Sequence, residues 1–282
     1  MLKTWSTPEI SDEEKRLIPC ALCGSLVFKP YLYCKSFFYV SCLSCGLVQI
    51  NPQPVTEAIK RRYGENYLYY ELENEDAFFK LQLLGLKDTG FDSLEFAKNE
   101  KPSVLDIGCA TGKLLAHLRE KGWQTTGVEI SAPQAEHCRQ KRDLDVRNIP
   151  LEENRFPSGA FQVVLASHLI EHLNDPAGLV REVSRILVPE GRFFVTTPNI
   201  AGFQARLFKD RWRSAICDHL YLFSVKTLSR LLEENGFTIE KRITWGGLAA
   251  GTAPAPLKRL FDKAAKRFGF GDVVMMRVKK IS

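Results

Sequence analysis

The sequence predicts an α/β protein, a mostly parallel sheet with helices on both faces, preceded by a small cysteine-rich module. Three observations carry that expectation. From Lys101 onward, short apolar runs alternate with helical patterns, as in sheets buried on both faces by crossover helices. A glycine-rich turn directly follows the first apolar run, and two C-x2-C pairs stand between Cys20 and Cys45. The length of 282 residues allows one large domain or two smaller ones. With 45% hydrophobic and 26% charged residues, the chain is not mostly disordered. No apolar run approaches the roughly 18–20 residues that cross a bilayer. The opening MLKTWSTPEISDEEK has no apolar signal-peptide core. The expectation is a cytoplasmic protein with no membrane span.

Residues 1–17 read as a polar lead-in. Residues 18–50 hold five cysteines, and the aromatic alternation YLYCKSFFYVSC predicts short strands around them. Residues 51–100 open with NPQP and continue in two helical patterns, VTEAIKRRYGENY and DAFFKLQLLGLKDTGFDSLEFAKN. They form a helical linker ahead of the main domain, whose Tyr63, Tyr67 and Tyr70 either close over a ligand there or serve as packing residues. Residues 101–282 form the main domain. Its strands are SVLDIG, QTTGVEI, LDVRN, AFQVVLAS, GRFFVTTPN, FTIEKRITW and DVVMMRVKKI. The helices between them are TGKLLAHLREKG, APQAEHCRQKR, PAGLVREVSRIL (ended by Pro189) and SVKTLSRLLEENG, and PLKRLFDKAAKRFG lies in an insertion before the last strand.

Cys20-x2-Cys23 and Cys42-x2-Cys45 have the spacing of a four-cysteine zinc ribbon. Four thiolates can close a tetrahedron around Zn²⁺ and leave no open position, so such a metal is structural. Gly24 and Gly46 follow the second cysteine of each pair. They suit knuckle turns that aim backbone N–H groups at sulfur. A module this short has too little core to fold alone, and metal supplies the missing free energy. Cys34 has no partner in this pattern.

The run Val104-Leu105-Asp106-Ile107-Gly108-Cys109-Ala110-Thr111-Gly112 precedes a helix. Glycines there let the chain turn and let a ligand approach the backbone. The helix start offers free N–H groups. Glu129 ends the second strand, placed to accept hydrogen bonds from both ribose hydroxyls of a nucleoside cofactor. Asp106 in the strand end would repel a pyrophosphate and attract a cationic amino group. That disfavours a dinucleotide and favours a positively charged, zwitterionic cofactor.

VLDIGCATG, GVEIS, FQVVLASHLIEHLNDP, LVPEGRFFVTTPN and HLYLFSVKTLSRLLEENGF resemble, in order and spacing, the successive motifs of class I S-adenosylmethionine-dependent methyltransferases. The resemblance covers about residues 60–282 and implies a Rossmann-like seven-stranded sheet of order 3-2-1-4-5-7-6, its last strand antiparallel. It implies that Asp106, Gly108, Cys109 and Gly112 line the methionine end, that Glu129 holds the ribose, and that Ile130, Pro150 and Leu151 flank the adenine. It places Ser167 and His168 beside the methionine and the transferred methyl. The sequence departs from the pattern at Gln162, where relatives often carry Asp, and at Ala110, where glycine is common. That second change is tolerable if φ at Ala110 is negative. The preceding ribbon resembles a subgroup acting on sugar nucleotides or polysaccharide precursors.

A base that removes the acceptor's proton completes the chemistry. His168 and His219 are the candidates, with pKa values that suit the task when unperturbed. His219 lies in a segment of about residues 200–222, read as an acceptor lid, whose Arg206, Arg211 and Arg213 can bind phosphate or carboxylate. His168-x-x-Glu171-His172 also has the H-x-x-E-H pattern of inverted zinc peptidases, but it follows a strand instead of lying on a helix. It is similar to the E-x-x-E-H metal site of ubiquinone-pathway O-methyltransferases, with histidine replacing the first glutamate. The net charge of +6 gathers partly in LKRLFDKAAKRFGF and MMRVKK, which can meet an anionic surface. The expected partner is a small, anionic acceptor. An RNA or protein methyltransferase reading through the ribbon is disfavoured, because residues 18–50 contain only Lys29 and Lys35 as basic groups. A non-catalytic S-adenosylmethionine-binding protein is the remaining alternative.

Overall fold

The computed structural model describes residues 14–34, 37–55, 65–96, 101–248 and 254–281. Its strands and helices follow in chain order. The N-terminal part holds β1 (Lys15–Arg16), β2 (Phe28–Cys34), β3 (Phe37–Cys42), β4 (Val48–Ile50) and β5 (Gln53–Pro54), then the long helix α1 (Glu65–Thr89). The main domain begins β6 (Ser103–Ile107), α2 (Lys113–Glu120), β7 (Gln124–Val128), α3 (Ala132–Arg142) and β8 (Val146–Arg147). It continues β9 (Phe161–Ser167), α4 (Pro176–Ile186), β10 (Leu187–Pro198), α5 (Phe203–Phe208) and β11 (Tyr221–Leu222). It ends α6 (Val225–Glu234), β12 (Phe237–Trp245), α7 (Ala255–Phe268) and β13 (Val273–Lys280).

Seven strands form the main sheet in the order β12-β13-β10-β9-β6-β7-β8. Numbered within the domain, that is 3-2-1-4-5-7-6, as the sequence resemblance implies. β13 runs antiparallel to both β10 and β12. β6 pairs in parallel with β7 and β9, so the carboxyl ends of these strands share one edge. The central strands are buried along most of their length, Val104 to Ile107 in β6 and Val163 to Ala166 in β9. Their continuous apolar runs reflect helices on both faces. α4 shows how a helix is fixed. Asp175 caps it by accepting from the Gly178 N–H at 2.8 Å, and Pro176 opens its first turn. Leu179, Val180, Val183 and Ile186 then recur on one buried face, each burial worth roughly 1.5–3 kcal/mol.

The structure differs from the sequence reading in four places. β10 starts at Leu187, before Pro189, and its register against β9 shifts between Leu187 and Arg192; that irregularity accommodates a proline which cannot donate to the ladder. The second linker pattern begins earlier and breaks at Gly90, whose φ is +81°, before a short 3-10 turn over Phe91–Ser93. Lys15–Arg16, read as polar lead-in, pairs antiparallel with Gln53–Pro54. Tyr221–Leu222, read as loop, is a strand that joins the cysteine module in a sheet of order β11-β4-β3-β2. The cysteine module is thus completed by a strand from the main domain. Cys20, Cys42 and Leu47 share one apolar core with Leu220, Tyr221 and Phe223. The first linker pattern and Tyr63 lie mostly outside the described residues, as does the side chain of Tyr67.

Candidate functional site

The glycine turn lies at the centre of the sheet edge. Gly108 and Gly112 take φ values of +72° and +74°. A Cβ at Gly112 would meet Leu144 Cδ1 at 2.7 Å and Cys138 Sγ at 2.8 Å, so glycine is required there by space as well as by conformation. Gly112 opens α2 without a side-chain cap, so no cap satisfies the N–H groups of the first turn. Ala110 has φ +48°. The condition of a negative φ is not met, and this alanine carries the left-handed strain a glycine would avoid. The Cys109 side chain turns down into a cluster with Leu115, Ala135 and Cys138, so only its backbone faces the cleft.

Glu129 is buried at the end of β7. Its carboxylate accepts from Ala110 N at 3.0 Å and Ser131 N at 2.8 Å, and Asn148 donates to its carbonyl at 2.7 Å. Asn148 escaped the sequence reading because its role is to hold the end of a neighbouring strand. Asp106 is 2% exposed on the adjacent strand. Burial, with Glu129 nearby, pushes the Asp106 carboxyl up to about 8. Burial raises Glu129 to about 7 against the pull of its backbone donors. Two buried carboxyls near each other are a site for a cation. Ile130 is exposed, Pro150 half-buried and Leu151 buried at the ends of the neighbouring strands. α1 packs over the turn. Its Glu75 pairs with Arg142 at 2.5 Å and Lys113 at 3.2 Å, and Asp76 also reaches Lys113. A cavity of about 40 Å³ remains between α1 and the turn, lined by Glu71, Phe79, Ala110 and Thr111. A groove of about 580 Å³ lies away from these residues, lined by Lys226, Arg230 and Arg242.

The second half of the site follows β9. Ser167 is half-buried. His168 takes φ +52°, its N–H donating to Thr196 O at 2.9 Å; such backbone is uncommon for a non-glycine residue and concentrates at functional sites. His168 Nδ1 is 3.3 Å from Glu171 Oε1, with the His168 side chain 48% exposed and Glu171 fully buried. Burial would raise Glu171, but the hydrogen bond from His168 and the charges of His168, His172 and His219 bring it down to about 2. Its Oε2 is buried and has no hydrogen-bond partner among the described residues. His172 and His219 meet edge to face, ring centroids 4.7 Å apart. His219 is buried and its Nδ1 is 2.8 Å from Ser214 O. Burial, then His172, pushes His219 down to about 3. Ligand atoms of Glu171, His172 and His219 all lie within 4.8 Å of one another. Of the three arginines, Arg213 pairs with the buried Asp272 at 2.8 Å, while Arg206 and Arg211 are exposed. Tyr39 of the cysteine module reaches this segment. Its hydroxyl is 2.8 Å from Ile216 O and 2.9 Å from His219 O.

The four module cysteines also converge. Cys20 and Cys45 Sγ atoms are 3.4 Å apart, Cys23 and Cys42 Sγ atoms 3.5 Å, and all four lie within 4.8 Å. Tetrahedral ligation at 2.3 Å places sulfurs about 3.8 Å apart. Gly24 and Gly46 have φ +71° and +81°. Burial pushes the Cys42 thiol up, but N–H groups of Cys45 and Ser44 and the neighbouring thiols overcome it, taking it to about 6. The donor set and its backbone support fit a four-thiolate metal.

Residues 85–242 match the family model described as a methyltransferase domain. The chain belongs to the methyltransferase-domain family. Among curated relatives, ubiquinone biosynthesis O-methyltransferase of Acinetobacter baumannii (strain AYE) is 32% identical over 103 residues, covering 34% of this chain and 44% of that protein. The enzyme of the same name from Pseudomonas aeruginosa (strain LESB58) is 34% identical over 103 residues with the same coverage. The chain thus spans less than half the length of these relatives. A solved S-adenosylmethionine-dependent methyltransferase from Thermotoga maritima superposes with a TM-score of 0.57 at 22% identity, covering 76% of this chain and 97% of that one. One from Archaeoglobus fulgidus gives 0.54 at 21%, covering 75% and 100%. These two likenesses concern the fold. Within the described residues no helix is long and apolar enough to cross a membrane.

Proposed function

We propose that this protein transfers a methyl group from S-adenosylmethionine to a small anionic acceptor, a sugar nucleotide or polysaccharide precursor. The observation that carries the reading is the pair of buried carboxyls, Asp106 and Glu129, at the ends of adjacent strands beside a glycine turn. Asp106 would hold the cationic amino group and the turn's N–H groups the carboxylate. Glu129 would accept from the ribose hydroxyls in place of Ala110 N. Ile130, Pro150 and Leu151 would flank the adenine. When bound, S-adenosylmethionine supplies an electrophilic methyl carbon on a sulfonium. Ser167 and His168 meet it at the end of β9. With Nδ1–H donating to Glu171, His168 presents Nε2 as the base that takes the acceptor's proton. Glu171 orients that ring and stabilises its charged form. His219, buried and held neutral, packs edge to face against His172 instead of taking the proton itself. Arg206 and Arg211 supply charge for an anionic acceptor.

Residues 51–100 act in this reading as the cofactor cover, through the ion pairs of Glu75 and Asp76. Cys20, Cys23, Cys42 and Cys45 hold a structural Zn²⁺ that braces the module. Eight cysteines with no disulfide among them suit a reducing, cytoplasmic setting. A second reading gives the Glu171–His172–His219 cluster a divalent cation, favoured by its converging ligand atoms.

The test is formation of S-adenosylhomocysteine by zinc-loaded protein against a panel of nucleoside-diphosphate sugars, with metal analysis of the same preparation. Turnover with one zinc per chain supports the main reading. A second metal equivalent per chain, absent from Glu171→Gln, favours the second. No turnover across the panel contradicts the sugar-nucleotide assignment.

A further inference from the structure

α7 is left unused by the chemistry above. It connects the end of β12 to the start of β13. β12 runs parallel to β10, because both are antiparallel to β13. α7 therefore lies beyond the same sheet edge as the glycine turn, Glu129 and His168. Its inner side is anchored. Phe261 packs against Phe203 at 5.5 Å and Phe270 at 6.3 Å, and Ala265 is fully buried. Asp262 accepts from Gly247 N, and Lys266 pairs with Asp88.

Its outer side has a different composition. Leu257, Leu260, Ala264 and Phe268 recur at helical spacing along one stripe. Leu257 is 48% exposed, Leu260 64% and Phe268 71%. Exposed Arg259, Lys263 and Arg267 run alongside. The helix carries five basic residues and one acidic residue. α5, joined to it through Phe203, exposes Leu207 and Phe208 beside Arg206, Lys209 and Arg211. Among the described residues none of these six cations has a carboxylate partner, whereas Lys258, Lys266 and Arg213 do.

We propose that α7 and α5 form a docking face for an anionic lipid bilayer surface. An apolar stripe flanked by basic side chains is what an interfacial helix presents to headgroups and acyl chains. A nucleic-acid surface would use the same cations but has no use for exposed leucines, and a purely solvated helix would not gather its large apolar residues on one side. The face holds the sheet edge carrying His168 against the membrane, so the acceptor is presented there by, or drawn from, the lipid phase. That last clause rests on the proposed methyl transfer; the docking itself does not.

Full-length, zinc-loaded protein is sedimented with vesicles of phosphatidylcholine alone and of phosphatidylcholine mixed with phosphatidylglycerol. Two variants accompany it, Arg259→Ala/Lys263→Ala/Arg267→Ala and Leu260→Glu/Phe268→Glu. All altered side chains are exposed, and circular dichroism with S-adenosylmethionine titration confirms each variant's fold and cofactor site. The expected result is binding to the mixed vesicles only, weakened by salt. Each cation near such a surface is worth about fivefold, so the triple variant loses on the order of a hundredfold. The apolar variant loses binding as well. No sedimentation with anionic vesicles, binding indifferent to both variants, or retention on single-stranded RNA without vesicle binding overturns the proposal. Vesicle binding without cofactor binding would instead leave the docking face standing and remove the methyltransferase reading.

Discussion

The two halves of the site are built in opposite ways. The half proposed to bind the cofactor is local: a turn of five residues, Gly108 to Gly112, and the end of the next strand, positioned by parallel pairing of β6 and β7. The half proposed to bind the acceptor is assembled from distant segments. His168 and Glu171 follow β9, His219 comes from a segment after β10, and that segment is held from behind by Tyr39 and by the pairing of β11 with β4. The cysteine module therefore props the acceptor half and leaves the cofactor half to the sheet.

Metal removal breaks that comparison most sharply. Structural zinc in small modules is worth on the order of 10 kcal/mol. Chelation, or Cys42→Ser, is expected to raise hydrogen exchange at least a hundredfold in residues 37–50 and 214–223 while residues 103–128 stay protected. Uniform loss of protection would show that the halves are not separable. Glu129→Gln is the converse perturbation. It should weaken S-adenosylmethionine binding at least tenfold by calorimetry and leave zinc content unchanged.

The pH dependence sharpens the contrast. Glu129 at about 7 and Asp106 at about 8 carry protons in the free protein that their anionic roles exclude. Binding that needs both groups anionic releases those protons, so affinity should rise as pH increases from 6 to about 9, then level off. An affinity that is flat over this range would contradict the carboxylate assignment. Tyr39→Phe removes a hydroxyl shared by two carbonyls and should cost about 1 kcal/mol of stability in chemical denaturation, with cofactor affinity unchanged. The smallest effect belongs to Ala110→Gly. Relief of left-handed strain, about 1–2 kcal/mol, is largely offset by the added freedom of glycine in the unfolded chain. A small rise in melting temperature is expected.

The same division governs what the sequence revealed. Asp106, Gly108, Gly112 and Glu129 were legible because strand ends and glycine turns leave a spacing in one stretch of chain. The seven-strand order was legible through the succession of motifs. The four cysteines were legible because two C-x2-C pairs are local signals. Tyr39 beneath His219 was not, since residues so far apart in sequence leave no spacing to read. Nor was β11, two residues long, whose pairing with β4 depends on tertiary context. The buried state of His219 was equally hidden, as a histidine in a basic loop reads as exposed. The φ of Ala110 shows a limit within the local signal itself, because an alanine in the sequence gives no sign that the turn is left-handed there.

The most direct test is calorimetric titration of folded, zinc-loaded protein with S-adenosylmethionine and S-adenosylhomocysteine, using wild type, Glu129→Gln and His168→Ala. Micromolar binding is expected for wild type and His168→Ala, and its loss for Glu129→Gln. No binding by the wild-type protein, or equal affinity in all three, would contradict it.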